Sequence, residues 1–268
     1  MEFRKLVRRL IESTGYTIRR LPGYAQDGLL CYHNHEFMDD PSFRKAYQRG
    51  VWGDSDHNWH WRVHIGLWVA YCASKLDGDF VECGVNRGFM SSAIMEYLEW
   101  DSLGKTFYLL DTFAGLDKRY GSEQELKANA RGLMSGHYVR GLGTVRANFS
   151  EWKNVRIIPG AVPDTLSAVD TQRIAYVHLD MACVFPEVAA FNALWERLVP
   201  GAFILLGSYA YQGFRTNKAA FDAAAGDAYP GHTAHKLALD AAAGAKGVRI
   251  ASLPTGQGLL IKGYEAVR

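Results

Sequence analysis

The chain has 268 residues, 48% apolar and 22% charged, enough to bury a large core in one α/β domain with a small N-terminal extension. Its 30 basic and 28 acidic residues leave a formal charge of +2 without a long basic run, which excludes general nucleic-acid binding on electrostatic grounds and points to a small-molecule partner. Cys31, Cys72, Cys83 and Cys183 are scattered with no C-x-x-C pair, no stretch of about eighteen apolar residues occurs, and charges fill the N-terminus where a secretory leader needs apolar residues; the expectation is a soluble, cytoplasmic protein.

In chain order, residues 2–12 set Phe3, Leu6, Val7, Leu10 and Ile11 on one helical face, ringed by Arg4, Lys5, Arg8 and Arg9. This basic amphipathic helix fits a cap or dimer helix, with peripheral contact to an anionic membrane as the alternative. Residues 59–76 form an apolar helical run. GDFVECGV then reads as a buried strand, and KTFYLLDTF, NVRIIPG, IAYVHLD and GAFILLG follow as further strands separated by helical stretches near 88–100, 143–152, 162–169 and 185–198. The alternation predicts a parallel, doubly wound sheet. GVRIASL and GLLIKG are joined only by PTGQ, a hairpin length, so one closing strand is expected to be antiparallel.

Residues 1–77 are accordingly assigned to an N-terminal helical extension and 78–268 to the sheet domain. Between the second and third of these strands, Ala114 to Gly143 is rich in glycine with little periodicity and reads as a lid. The stretches KAAFDAAAG at 218–226 and KLALDAAAG at 236–244 look like two Ala-rich helices or a local duplication.

Ligands of doubly wound sheets bind outside the carboxyl ends of the strands. The first sheet strand ends V-E-C-G-V-N-R-G, where Gly84 and Gly88 permit close turns and Glu82 can meet an ammonium. The missing third glycine argues against a dinucleotide pyrophosphate and for a cofactor without phosphates, such as S-adenosylmethionine. Asp111, ending the next strand, is placed to take both ribose hydroxyls. Asn86 and Thr112 lie beside these carboxylates, and Phe113 with Gly160 and Ala161 is expected to flank the adenine. The alternative makes Glu82 and Asp111 capping or salt-bridge residues.

VECGVNRG, YLLDTFAGL, VRANF, IIPGAVPDTL and VHLDM, in this order and spacing, resemble the macrocin and mycinamicin sugar O-methyltransferase family from about Gly78 to Lys262. The resemblance implies a Rossmann-like methyltransferase fold and methyl transfer from S-adenosylmethionine to a hydroxyl, typically of a sugar on a natural product or glycan. It puts Glu82, Gly84 and Gly88 around the methionine portion, Asp111 on the ribose and Gly160 and Ala161 near the adenine. It makes Asp180 the catalytic carboxylate, which in that family also helps bind a divalent cation with two adjacent aspartates at the end of the next strand. Here that strand ends Leu206-Gly207-Ser208-Tyr209 and residue 182 is Ala182. One carboxylate makes a poor magnesium site, so the metal is expected to be lost or weakly held, with Ser208 or a diol substrate as further oxygen donors.

Asp180 remains a candidate base, and His178, two residues earlier on the same face, is a second candidate or a core residue. His57, His60 and His64 have the spacing of a zinc site, although the interleaved Trp59, Trp61 and Trp68 favour a helix packed over the substrate mouth. Tyr209 and Tyr211 either stack on a sugar ring or pack. Two other functions fit the sequence: a catalytically degenerate S-adenosylmethionine-binding partner, and a membrane-surface adaptor using the basic helix. A homodimer is the default assembly.

Overall fold

Six consecutive residues, Ile174–Leu179, are all buried, the pattern of a central strand covered on both faces. The computed structural model around this strand describes residues 5–7, 10–11, 13–14, 24–33, 35–134, 136–210 and 231–263. Its elements are β1 (Tyr24–Gln26), β2 (Leu29–Cys31), α1 (Pro41–Gly53), α2 (His60–Ser74), β3 (Asp79–Cys83), α3 (Phe89–Tyr97), β4 (Phe107–Asp111), α4 (Glu123–Met134), α5 (Leu142–Asn148), β5 (Val155–Pro159), β6 (Ile174–Leu179), α6 (Val184–Trp195), β7 (Leu198–Leu206), α7 (Gly231–Ala245), β8 (Ala251–Ser252) and β9 (Gly258–Ile261). Seven strands form one sheet in the order β5-β4-β3-β6-β7-β9-β8. The pairs from β5 through β7 are parallel, and β9 runs antiparallel to both β7 and β8. The fold is Rossmann-like and doubly wound, closed as the PTGQ hairpin predicts.

The chain runs outward from β3 through β4 to β5 and then returns to β6 on the other side of β3. That reversal opens a crevice beyond the carboxyl ends of β3 and β6, and every candidate carboxylate sits on its rim. A continuous core spans the sheet and the helices before it, with Phe43, Val63, Leu67, Phe80, Trp100, Phe107, Phe149, Tyr176 and Phe191 in one cluster. α1 begins where Pro41 follows Asp40, whose carboxylate accepts from the amides of Ser42 at 2.7 Å and Phe43 at 3.2 Å.

Several expectations are corrected. The segment before residue 78 is not wholly helical, because β1 and β2 form an antiparallel hairpin there. The presumed lid contains helix α4, the 162–169 stretch is a short 3-10 turn at Asp164–Ala168, and α5 stops at Asn148. In the N-terminal stretch, residues 5–7 and 10–11 are helical, with Leu6 and Leu10 exposed; its other residues lie outside the described set. The 236–244 repeat lies in α7, whereas 218–226 falls outside the described residues.

Candidate active site

Glu82, next to last in β3, stands directly opposite His178 on β6. The two side chains are almost fully buried, and His178 Nδ1 meets Glu82 Oε1 at 2.7 Å. Burial penalises the imidazolium, but the hydrogen bond and charge of Glu82 outweigh it, and the His178 pKa is raised. Glu82 Oε2 and His178 Nε2 are buried without a hydrogen-bond partner, as is the hydroxyl of Tyr176 on the same strand. An unmatched buried carboxylate oxygen is costly on its own, so the end of β3 is suited to a ligand donor or an ordered water. His178 stands beside Glu82 on the neighbouring strand and is as deeply buried as Glu82 itself.

Asp111 ends β4. Its Oδ2 accepts from the Asn86 amide at 2.8 Å, and its Oδ1 from the Phe113 amide at 2.7 Å. Burial nevertheless raises its pKa above the ordinary value against these backbone donors. The Thr112 hydroxyl also stands 3.4 Å from Oδ1, so a ribose hydroxyl would share a carboxylate already ringed by the protein's own donors. Asn86 faces away from this carboxylate: its Nδ2 donates to the His137 carbonyl at 2.9 Å and its Oδ1 accepts from the Val139 amide at 2.7 Å. Besides this approach to Asp111 Oδ1, Thr112 serves its own turn, donating to the Gly115 carbonyl and accepting from the Ala114 amide.

The glycines here answer to the protein's own backbone. Gly84 has φ +94°, and a Cβ would stand 2.2 Å from the Asp180 carbonyl oxygen; at Gly88, φ +90°, it would strike the Phe149 ring at 2.3 Å. Close strand approach and helix packing therefore demand glycine whether or not a ligand is present. Gly160 and Ala161 lie in the turn after β5, and Phe113 is only 2% exposed, held in the core cluster.

Beyond β6 the geometry changes. Ser208 donates to Asp180 Oδ1 at 2.5 Å, and a Cβ at Gly207 would fall 2.3 Å from the Asp180 Cγ. The Asp180 carboxylate thus occupies the space a side chain at 207 would need. Arg62, the one Arg or Lys of α2 and buried, donates to the Gly207 carbonyl at 2.8 Å and the Thr255 carbonyl at 3.0 Å. Glu187 is fully buried in the first turn of α6 and accepts from the Met181 amide at 2.9 Å. Burial, with the charge of Asp180 adding to it, lifts the Glu187 carboxyl from 4.5 to about 7, although His235 and the amides of Met181 and Ala182 oppose the rise. Glu187 thereby ties down the turn that follows Asp180.

These side chains do not fit a divalent ion. Hard cations need several oxygen donors, and here one carboxylate is bonded to Ser208, Gly207 has no room for another, and Ala182 offers none. Among the described residues no group of three or more His, Cys, Asp or Glu side chains is placed to hold a metal. A nucleoside cofactor with an ammonium and no phosphate fits better: Glu82 offers an unpartnered carboxylate oxygen, and Asp111 stands one strand away.

Of the histidines at 57, 60 and 64, only the last two lie on α2, and all three point to different partners. His60 stacks on Tyr47, His64 on Phe37, and His57 on Trp59 while bonding Asp54. Tyr209 is no sugar platform: it is 1% exposed and its hydroxyl is taken by Asp240 at 2.5 Å and Lys236 at 2.6 Å. Tyr211 lies outside the described residues. The sequence reading missed Arg62 and Glu187; the signals were a lone cation within WHWRVHIGLWVAYCAS and a lone acid within VFPEVAAFNALW.

The sheet order with its inserted antiparallel strand and the carboxylates at adjacent strand ends define a Rossmann-like methyltransferase fold. The structure of the O-methyltransferase NovP has that fold, with TM-score 0.58 and 17% identity over 76% of this chain and 80% of that one. Residues 69–230 match the family described as Macrocin-O-methyltransferase, and the chain belongs to that family. Among characterised relatives, the 8-demethyl-8-(2,3-dimethoxy-alpha-L-rhamnosyl)-tetracenomycin-C 4'-O-methyltransferase of Streptomyces olivaceus is 28% identical over 164 residues, 55% of this chain and 60% of that protein. The mycinamicin III 3''-O-methyltransferase of Micromonospora griseorubida is 26% identical over 149 residues, 52% of this chain and 58% of that one. The chain therefore spans about three-fifths of the length of these two relatives.

Proposed function

We propose that this protein methylates a hydroxyl of a sugar carried by a natural product or glycan, using S-adenosylmethionine and no bound metal. The observation that carries the reading is the convergence of Glu82, Asp111 and Asp180 on one crevice in a member of the macrocin family. Both characterised relatives are named as O-methyltransferases, one of a rhamnosyl-tetracenomycin C and the other of mycinamicin III.

In this reading Glu82 Oε2 receives the cofactor's ammonium while His178 holds the other oxygen and fixes the carboxylate's orientation. Asp111 takes the ribose, and Phe113, Gly160 and Ala161 border the adenine, with Gly84, Asn86, Gly88 and Thr112 shaping the turns around them. S-adenosylmethionine held there would supply an electrophilic methyl to the acceptor oxygen and leave as S-adenosylhomocysteine. Asp180 accepts the hydroxyl proton, and Ser208 aims its carboxylate. Such positioned proton transfer contributes about 10²–10⁴-fold in rate. The chain's part is otherwise to align the acceptor oxygen and exclude water.

Residues 78–268 form the cofactor-binding domain in this account, with residues 1–77 on the acceptor side. No helix among the described residues is long and apolar enough to cross a membrane, and four free cysteines suit the reducing cytoplasm where we place the protein, as a homodimer. The test is incubation with methyl-labelled S-adenosylmethionine and a panel of rhamnosylated aglycones, with and without EDTA. Label transfer that persists in EDTA is expected. Cofactor binding without transfer to any acceptor would contradict the proposed catalysis.

A further inference from the structure

Four distant stretches meet at the outer end of the crevice. The connection from α1 to α2 brings Asp54 and His57, the turn before α3 brings Arg87, the segment after α4 brings His137, and the end of β6 brings Asp180. Asp54 holds His57 Nε2 at 3.0 Å with one oxygen and Arg87 Nε at 3.2 Å with the other. Arg87 donates onward to the Gly136 carbonyl at 2.9 Å. Asn86 grips the same segment with both ends of its amide, at 2.9 Å on His137 and 2.7 Å on Val139.

Clamped from two sides, the His137 ring stands edge-on to the His57 ring at 5.5 Å between centroids and near enough to Asp180 to feel its charge. Among the described residues its backbone is hydrogen-bonded, but its ring nitrogens bond to no protein group. A neutral imidazole offers one donor and one acceptor, the pair of functions a sugar hydroxyl needs. Trp59, stacked on His57 at 4.2 Å and only partly buried, gives the same corner an apolar edge that suits the C–H face of a pyranose, while the buried Phe89 ring, 5.8 Å from His57, backs the corner from the core.

We infer that His57 and His137 form the acceptor subsite, hydrogen-bonding neighbouring hydroxyls of the sugar whose reacting oxygen meets Asp180. The inference rests on the methyl-transfer reading above and adds to it the residues that recognise the acceptor. His57 is oriented by Asp54, and His137 is carried by a segment whose anchor, Asn86, also donates its own amide to Asp111. The acceptor subsite and the ribose carboxylate therefore share one residue as a mechanical link.

The test uses the whole chain saturated with S-adenosylhomocysteine and titrated with methyl α-L-rhamnopyranoside, followed through the histidine ring protons by NMR. Two imidazole signals, assigned to His57 and His137 by substitution, are expected to shift. His137→Phe should weaken rhamnoside binding by about tenfold or more while S-adenosylhomocysteine binding, measured by calorimetry, stays unchanged and certifies the fold. Unchanged rhamnoside affinity in both His137→Phe and His57→Phe, or a rhamnoside that does not bind the saturated wild-type chain, overturns the subsite. If S-adenosylhomocysteine itself fails to bind the wild-type chain, the methyl-transfer reading falls, and the subsite with it.

Discussion

At the ends of β3 and β4 the carboxylates of Glu82 and Asp111 are surrounded by the protein's own donors, and one oxygen, Glu82 Oε2, is left over. At the ends of β6 and β7 a single carboxylate, Asp180, is bonded to a serine hydroxyl and pressed against a glycine. The first half still has the composition a nucleoside with an ammonium requires. In the second, the side chains have closed around Asp180 so that a second carboxylate would not fit beside it. The glycine at 207 thus matches the packing around Asp180, the carboxylate proposed as the base.

The largest separation between the halves should come from Asp180→Asn. It keeps the shape and removes the base, so methyl transfer in single-turnover assays should fall by about 10²–10⁴-fold, with cofactor affinity unchanged; full activity would remove Asp180 from the mechanism. The next effect concerns Glu187, whose pKa rises from 4.5 to about 7 on burial. Folded protein holds this proton more tightly than unfolded, so the stability it contributes is complete below about pH 4.5 and is lost as pH rises through about 7, on the order of 3 kcal/mol in total. Glu187→Gln should flatten that decline in denaturant melts between pH 5 and 8, and an equally steep curve would show that Glu187 is not its source.

Gly207→Ala tests the closed half by overpacking. Its Cβ meets the Asp180 carboxylate, and a loss of about 1–3 kcal/mol in chemical denaturation is expected; no loss would mean Asp180 moves aside freely. Asp111→Asn, in the open half, should leave the fold intact and weaken cofactor binding by about tenfold, a change of 1.4 kcal/mol. Calorimetry showing undiminished affinity would remove Asp111 from the ribose contact.

Much of the sheet was legible because each strand is a short apolar run ended by a glycine or an acid, and GDFVECGV, KTFYLLDTF, NVRIIPG, IAYVHLD and GAFILLG all contain strands. The β1–β2 hairpin was missed because it lies where the reading expected helices, and α4 because its apolar periodicity is interrupted by glycines on both sides. Strand-end carboxylates could be read from spacing, but their partners could not. Glu82 with His178 depends on the register of strands 96 positions apart in sequence, and His137 beside His57 depends on a segment clamped by Asn86. The reason for Gly207 was also hidden: what the sequence shows as a missing ligand is, in three dimensions, a position whose Cβ would fall 2.3 Å from the Asp180 Cγ.

Titration of S-adenosylmethionine into the purified chain by calorimetry, once with magnesium and once with EDTA, tests the asymmetric crevice most directly. Equal binding in both is predicted, because Glu82 and Asp111 need no ion. Absence of binding, or binding only with magnesium, would contradict the account.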